Sequence, residues 1–246
     1  MKQRKTNRRD LLALGAGLAA VAGGWQFWLR RPKPLSFAPI ETLPGWRRLA
    51  FDGITSASGS ATGAVFLGIG ETETLPPLSA DALCKTLYPA QGKGIPTAIF
   101  TDVNCPNCAS LEAKLKARSD ALSLNWHDLP LLGPASEHAA RAMAAGDLQP
   151  NGPTFRQVIL STAPGRLRSA LLKKLAAENG LDGDRLLKDM QAPEVKAKLR
   201  TDRRAAQTLG VWGTPGLTIG RTFVLGDLSA DTLDQLIEAE ASAKHC

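Results

Sequence analysis

The chain reads as an α/β protein, and three observations carry that reading. A short β-type run, Ile95-Pro96-Thr97-Ala98-Ile99-Phe100, leads into Cys105-Pro106-Asn107-Cys108 and then a helical stretch from Ala109 to Lys116. A long region from about 135 to 209 places apolar residues at i, i+3 and i+4, the period of helices with one buried face. Two short β-type runs and a closing helix then end the chain, and this alternation of strand and helix patterns is that of an α/β domain.

Residues 1–31 read as an export signal or a membrane anchor. Lys2, Arg4, Lys5, Arg8 and Arg9 precede an uncharged run from Leu11 to Leu29, and Arg30, Arg31 and Lys33 follow it. A basic segment before an apolar one is an export signal, and the heavier positive charge on its N-terminal side predicts an exported body. Asn7-Arg8-Arg9-Asp10-Leu11-Leu12 resembles a twin-arginine translocation signal. Ala20-Val21-Ala22 offers a small-residue cleavage site, whereas Trp25-Gln26-Phe27-Trp28 prolongs the apolar run to a length that just spans a bilayer. Cleavage and retention both stay open. Residues 1–33 hold 8 basic and 1 acidic residue, a net +7 that equals the charge of the whole chain. Residues 34–246 therefore balance, and no nucleic-acid partner is expected.

Residues 32–94 form a Pro- and Gly-rich extension. Within it Trp46–Phe51 and Ala64–Ile69 could be strands, residues 56–63 have the composition of a flexible loop, and Ala80–Leu87 reads as a short helix. A linker, an extra hairpin and a partner surface are all compatible with this composition. Residues 95–246 are long enough for one buried core. After the cysteine pair, Ser123–Pro130 reads as a strand ending at proline, and helical runs follow at about 135–145, 165–178, 182–190 and 195–209. Asn179-Gly180 and Asp182-Gly183-Asp184 mark helix ends and starts. Lys196, Lys198, Arg200, Arg203 and Arg204 are most simply a solvated face. Leu209–Ile219 and Gly220–Gly226 give a Gly-rich turn, Thr214-Pro215, and two β runs, before a helix over Asp231–Ile237.

The cysteine spacing names a chemistry. Cys105 falls at a helix N-terminus, where unpaired N–H groups and the helix dipole favour a thiolate, and such Cys-x-x-Cys cysteines reach pKa values of roughly 3.5–7.5. Cys108 lies one turn on, close enough to attack a mixed disulfide formed at Cys105. Pro106 suits the first turn, where its missing N–H costs little. The pattern points to Cys105 as attacking and Cys108 as resolving thiol. A structural disulfide or half a zinc site is the blander alternative, but no second Cys or His pair stands at zinc-ligand spacing and no metal is expected. His127, His138 and His245 are isolated in sequence. Asp102 could move protons if buried, or more simply orient the loop before Cys105. Cys84 and Cys246 could pair and staple the extension to the C-terminal segment, or Cys84 could be a small buried apolar residue.

Phe100-Thr101-Asp102-Val103-Asn104-Cys105-Pro106-Asn107-Cys108, together with Gly213-Thr214-Pro215, resembles the DsbA-like branch of the thioredoxin superfamily over roughly residues 95–237. The resemblance implies a thioredoxin fold with a helical insertion at about 135–209, and a cis proline at Pro215 facing the cysteines. It implies that Thr214 and Pro215 hold an extended substrate segment as an added strand, with the Thr214 hydroxyl donating to the Cys105 sulfur. The expected function is exchange of disulfides with exported cysteine-containing proteins, in the periplasm or at the extracytoplasmic face of a bacterial inner membrane. A membrane redox partner would recycle the site, and no cofactor is expected. In the strong oxidants of this family a basic residue precedes the second cysteine. Asn107 is neutral, so a weaker oxidant than DsbA itself, at about −120 mV, is expected. Two other readings are a thiol-based copper-binding or delivery module, with Met143 and Met190 as candidate soft ligands or core residues, and a reductase for a metalloprotein site.

Overall fold

The computed structural model describes residues 34–50, 74–89 and 92–246. The leader, the run Ala64–Ile69 and the loop 56–63 lie outside them. Six strands form one mixed sheet in the order β1-β2-β6-β5-β3-β4. They are β1 (Ser36–Pro39), β2 (Arg47–Ala50), β3 (Ile95–Thr101), β4 (Leu122–Asp128), β5 (Gly216–Ile219) and β6 (Thr222–Leu225). The central strand β3 runs parallel to β4 and antiparallel to β5. The described part of the extension contributes a hairpin, since β1 and β2 pair antiparallel and β2 joins the sheet beside β6. The expected strand at Trp46–Phe51 is thus present as Arg47–Ala50.

Strand alternation sorts the core onto the two faces of this sheet. Ala98 and Phe100 of β3 face Leu83 and Leu87 of α1 (Ala80–Leu87) and Ala205, Ala206 and Leu209 of α7 (Pro193–Leu209). Ile95 and Ile99 face the other way, against Leu111 and Leu115 of α2 (Pro106–Lys116) and Leu233 and Leu236 of α8 (Ala230–Ala241). Trp46 is 2 % exposed and belongs to the first of these clusters, so the extension shares in the sheet's core.

A third apolar cluster fills the helical region: α3 (Pro134–Gly146), α4 (Gly152–Leu160), α5 (Ser169–Glu178), α6 (Gly183–Asp189) and the first turn of α7. Met143 and Met190 are buried in it, packed as core residues. The continuous helix expected over 165–178 is broken. Pro164–Arg166 forms a 3₁₀ turn, and Arg168, extended at ψ 159°, starts α5 at Ser169. Helix α4 has no counterpart in the sequence reading, because Gln149-Pro150-Asn151-Gly152-Pro153 looks like a turn. It buries Phe155 and Ile159. Gly152 allows its close approach to α3: a Cβ there would stand 2.7 Å from the Asp147 Cα. Asp182 caps α6, accepting from the amides of Asp184 and Arg185 at 2.9 and 3.0 Å. The charged face of α7 is partly engaged: Lys198 pairs with Asp202 at 2.7 Å, and Arg204 Nε donates to the Pro76 carbonyl at 2.7 Å.

Cys84 and Cys246 form a disulfide with Cα atoms 5.4 Å apart, closing a sequence separation of 162 and tying α1 to the segment after α8.

Candidate active site

The cysteine pair stands where β3 hands the chain to α2. Cys105 is the residue before the helix, with φ −87° and ψ 112°, and Pro106 opens the first turn. The Cys105 side chain makes no capping bond, so its sulfur stays available at the positive end of the helix. Cys105 and Cys108 are both free thiols, 7 % and 3 % exposed, while Pro106 and Asn107 are exposed between them. The Cys108 amide donates to the Cys105 carbonyl at 3.2 Å, which sets the turn that carries both sulfurs.

Across the sheet, the loop between α7 and β5 brings Thr214-Pro215 to the same place, and the Thr214–Pro215 peptide is cis. The Cys105 thiol donates to the Thr214 carbonyl at 3.4 Å. The contact therefore runs to the backbone oxygen of Thr214, in place of the hydroxyl-to-sulfur contact expected from the sequence. A protonated thiol brings a donor and the carbonyl accepts it. Trp212, 40 % exposed, stands two residues before Thr214.

Cys108 differs from Cys105 in its surroundings. Burial, and then the neighbouring Cys105 thiol, push its pKa up to about 12 from an ordinary 9.0. The Asp102 amide and the Thr101 hydroxyl pull the other way. That hydroxyl is buried and makes no hydrogen bond of its own among the described residues.

Asp102 is 3 % exposed and holds the loop before the cysteines. One carboxylate oxygen accepts from the Asn104 amide at 2.8 Å and the Ser136 hydroxyl at 2.6 Å. The other accepts from the amides of Leu131 and Leu132 at 2.8 and 3.0 Å. The loop leaving β3, the loop leaving β4 and the first turn of α3 thus meet on one side chain.

Three buried ionisable residues near this frame have partners that the sequence reading did not assign. Arg156 of α4 makes a two-pronged ion pair with Asp128 at 2.6 and 2.7 Å and reaches Asp147 at 3.0 Å. Burial opposes its charge, but the two carboxylates outweigh burial and raise its pKa. Glu112 of α2 is raised by burial, partly offset by Lys116 one turn on. His127 lies between Asp202 Oδ1 at 2.8 Å and the Leu87 carbonyl at 3.0 Å. Burial alone would raise the Asp202 carboxyl, yet His127 and Lys198 hold it low. The available signal was the Glu112–Lys116 spacing. Lys198 and Asp202 share that spacing, whereas Arg156 with Asp128 and His127 with Asp202 are too far apart in sequence to be read together.

A cysteine pair opening a helix, facing a cis proline across a thioredoxin-type sheet, defines the class of thiol:disulfide oxidoreductases. The model of the DSBA-like thioredoxin domain matches residues 98–238, and the chain belongs to that family. Comparison with curated proteins finds no match. Among solved structures, a thioredoxin-like oxidoreductase from Silicibacter pomeroyi is 29 % identical, with TM-score 0.57, over 65 % of this chain and 98 % of its own. The thiol-disulfide exchange protein α-DsbA2 from Wolbachia pipientis is 20 % identical, with TM-score 0.56, over 63 % and 90 %. A periplasmic thioredoxin-like protein from Salmonella enterica serovar Typhimurium is 21 % identical, with TM-score 0.53, over 65 % and 97 %. The last two likenesses speak for the fold.

Proposed function

We propose that this chain is an exported oxidoreductase that exchanges disulfides with cysteine-containing proteins through Cys105 and Cys108. The observation that carries the proposal is the difference between the two sulfurs. Cys105 lies at the helix start against Thr214, whereas Cys108 is held protonated by burial. Cys105 is then the group that attacks. Its thiolate displaces one sulfur of a substrate disulfide, which leaves as a thiolate and takes up a proton. The mixed disulfide brings Cys105 Sγ within reach of Cys108, which gives up its proton and attacks it. The second substrate thiolate leaves, and the Cys105–Cys108 disulfide remains. Oxidation of a client runs these steps in reverse. The electrons stay on sulfur throughout, so the cycle calls for no cofactor.

Thr214 and Pro215 flank the reacting sulfur and would hold the client as an added strand. Pro106 and Asn107 form the exposed link that a client meets, and Asp102 positions the loop. The basic and apolar leader supports export to the periplasm or the extracytoplasmic membrane face. There a membrane redox partner would return the site to its working state. The neutral Asn107 favours a potential more reducing than about −120 mV.

The test compares wild type with Cys105→Ser in reducing a model protein disulfide and in oxidising a reduced, unfolded client. Wild type should drive at least one direction and the variant neither. A reduced protein that instead binds Cu(I) tightly and turns over no disulfide would favour the copper-delivery reading.

A further inference from the structure

We propose that Asn104, the residue before Cys105, is a second holding point for the client. Its side-chain oxygen accepts a backbone N–H that lies beside the client's reacting cysteine. The inference rests on the disulfide-exchange reading above and narrows its clients to those whose cysteine has a neighbouring amide free to donate.

The polarity of Asn104 follows from a short chain of groups. Asp102 takes N–H groups from Asn104, Leu131 and Leu132, so both of its oxygens act as acceptors. Its Oδ1 also lies 2.6 Å from the Ser136 hydroxyl, whose single hydrogen is therefore donated there. Ser136 Oγ can then only accept from Asn104, and the atom that meets it, at 2.7 Å, is Nδ2. Such bonding is what tells the two ends of an Asn side chain apart. The Asn104 backbone N–H is turned inward as well, to Asp102 Oδ1 at 2.8 Å. Asp102 and Ser136 are 3 % and 1 % exposed, so Asn104 is pinned by two buried partners. Its Oδ1 is the one polar atom of the side chain left over, and among the described residues it has no hydrogen-bond partner. Asn104 is exposed, and with both N–H groups facing inward that exposure falls on its remaining atoms, Oδ1 among them.

Disulfide geometry sets the reach. Neighbouring Cα atoms stand about 3.8 Å apart, which fixes Asn104 beside Cys105. A mixed disulfide would bring the client cysteine's Cα to about 4.4–6.8 Å from that of Cys105. The client cysteine and the residue on either side of it then pass within a side chain's length of Asn104. Thr214, whose carbonyl meets the Cys105 thiol at 3.4 Å, belongs to a different loop, so the two residues hold the client at two points. An acceptor already pinned adds affinity without the entropy loss of ordering a free side chain. Proline has no N–H and cannot make the bond. The exchange itself is unchanged. The Cys105 thiolate bonds to the client sulfur, the other sulfur leaves with the electron pair, and Asn104 neither gives nor takes a proton.

The test uses the reduced full chain and a short peptide whose single cysteine is capped by thionitrobenzoate. Cys105 bonds to the peptide sulfur, and the coloured thiolate leaves with the electron pair and reports the rate. Three further peptides carry one backbone N-methyl group each, on the residue before the cysteine, on the cysteine, or on the residue after it. One net hydrogen bond corresponds to roughly 2- to 12-fold in rate, so wild type should react about fivefold more slowly with one of the three than with the parent peptide. In Asn104→Ala that ratio should fall to within twofold. Ser136→Ala keeps Asn104 but frees its amide to turn, and should at least halve the ratio. Each ratio is taken within one protein, so a lower overall rate in a variant does not mimic the result. Where Asn104→Ala does not fold, Ser136→Ala carries the comparison. Equal rates of all four peptides with wild type, or a methyl penalty that survives unchanged in both variants, would overturn the proposal and leave the exchange reading standing. If wild type releases no more thiolate than Cys105→Ser from any peptide, the exchange reading falls and this inference falls with it.

Discussion

Replacing Asp102 by alanine should cost about 3 kcal/mol of stability, although the residue forms no ion pair with a cation among the described residues. Its buried carboxylate accepts four hydrogen bonds, from Asn104, Ser136, Leu131 and Leu132. Hydrogen bonds to a charged group contribute roughly 1.5–3 kcal/mol each, which sets an upper limit near 6 to 12. Asn104 and Leu132 are exposed and Leu131 is half-buried, so three of the four donors can turn to water. Only the Ser136 hydroxyl, on a residue 1 % exposed, is left wholly without an outlet. Discounting the three brings the loss to about 3 kcal/mol, or a fall in Tm of about 6–12 °C for a chain of this size. Asp102→Asn is the sharper variant. An amide can turn its oxygen to one pair of donors only by turning its NH₂ toward the other, so about 2 kcal/mol should still be lost. Urea unfolding of the oxidised protein, with the slope m unchanged, reads both values. A loss below about 1 kcal/mol for Asp102→Ala, or an Asp102→Asn protein as stable as wild type, refutes the reasoning. Slower exchange at full stability in Asp102→Asn would instead point to a proton-moving role.

Cys108 gives a pH prediction with a definite sign. Its folded pKa is raised, to about 12, so the stability it supports is complete below the thiol's ordinary value of 9.0 and is lost as pH rises toward 12. Unfolding of the reduced protein followed from pH 8 to 11 should show this decline, and the oxidised protein, which has no such thiol, should show none of it. Arg156→Met should cost about 3–5 kcal/mol in urea unfolding, because it strands the buried Asp128 carboxylate, and pairing it with Asp128→Leu should recover most of the loss. Equal losses in the single and double variants would contradict that. Thr101→Val removes a hydroxyl that favours the Cys108 thiolate. It should slow the resolving step, seen by stopped flow as a longer-lived mixed disulfide, while the first attack by Cys105 keeps its rate.

The parts of the site that were readable in the sequence are those written in a few consecutive residues. Cys105 and Cys108 sit one turn apart on a helix that begins with proline, and Thr214-Pro215 interrupts a glycine-rich turn, so each declares its own local geometry. Most of the helical region was readable for the same reason, since its apolar period persists. Helix α4 was missed because its start is spelled with turn residues, and only its packing of Phe155 beneath Gly146 and beside Leu181 makes it a helix. The Thr214 contact was expected from the wrong oxygen, since backbone and hydroxyl are indistinguishable in sequence. Asp102 was expected to orient the loop before Cys105, and its bond to the Asn104 amide is local. Its bonds to Leu131, Leu132 and Ser136, like the pairings of Arg156 with Asp128 and His127 with Asp202, span 28 to 75 residues and are brought together by the fold alone. The joining of β2 to the sheet beside β6 is likewise a long-range pairing, with no signature in Arg47–Ala50 itself.

The most direct test of the central claim is to mix reduced Cys108→Ala protein with a peptide containing one disulfide and to map the product by mass. The two-sulfur mechanism predicts a stoichiometric mixed disulfide on Cys105 that persists, whereas wild type resolves it and Cys105→Ser forms none. An adduct on another residue, or turnover by Cys108→Ala as fast as wild type, would contradict the assignment.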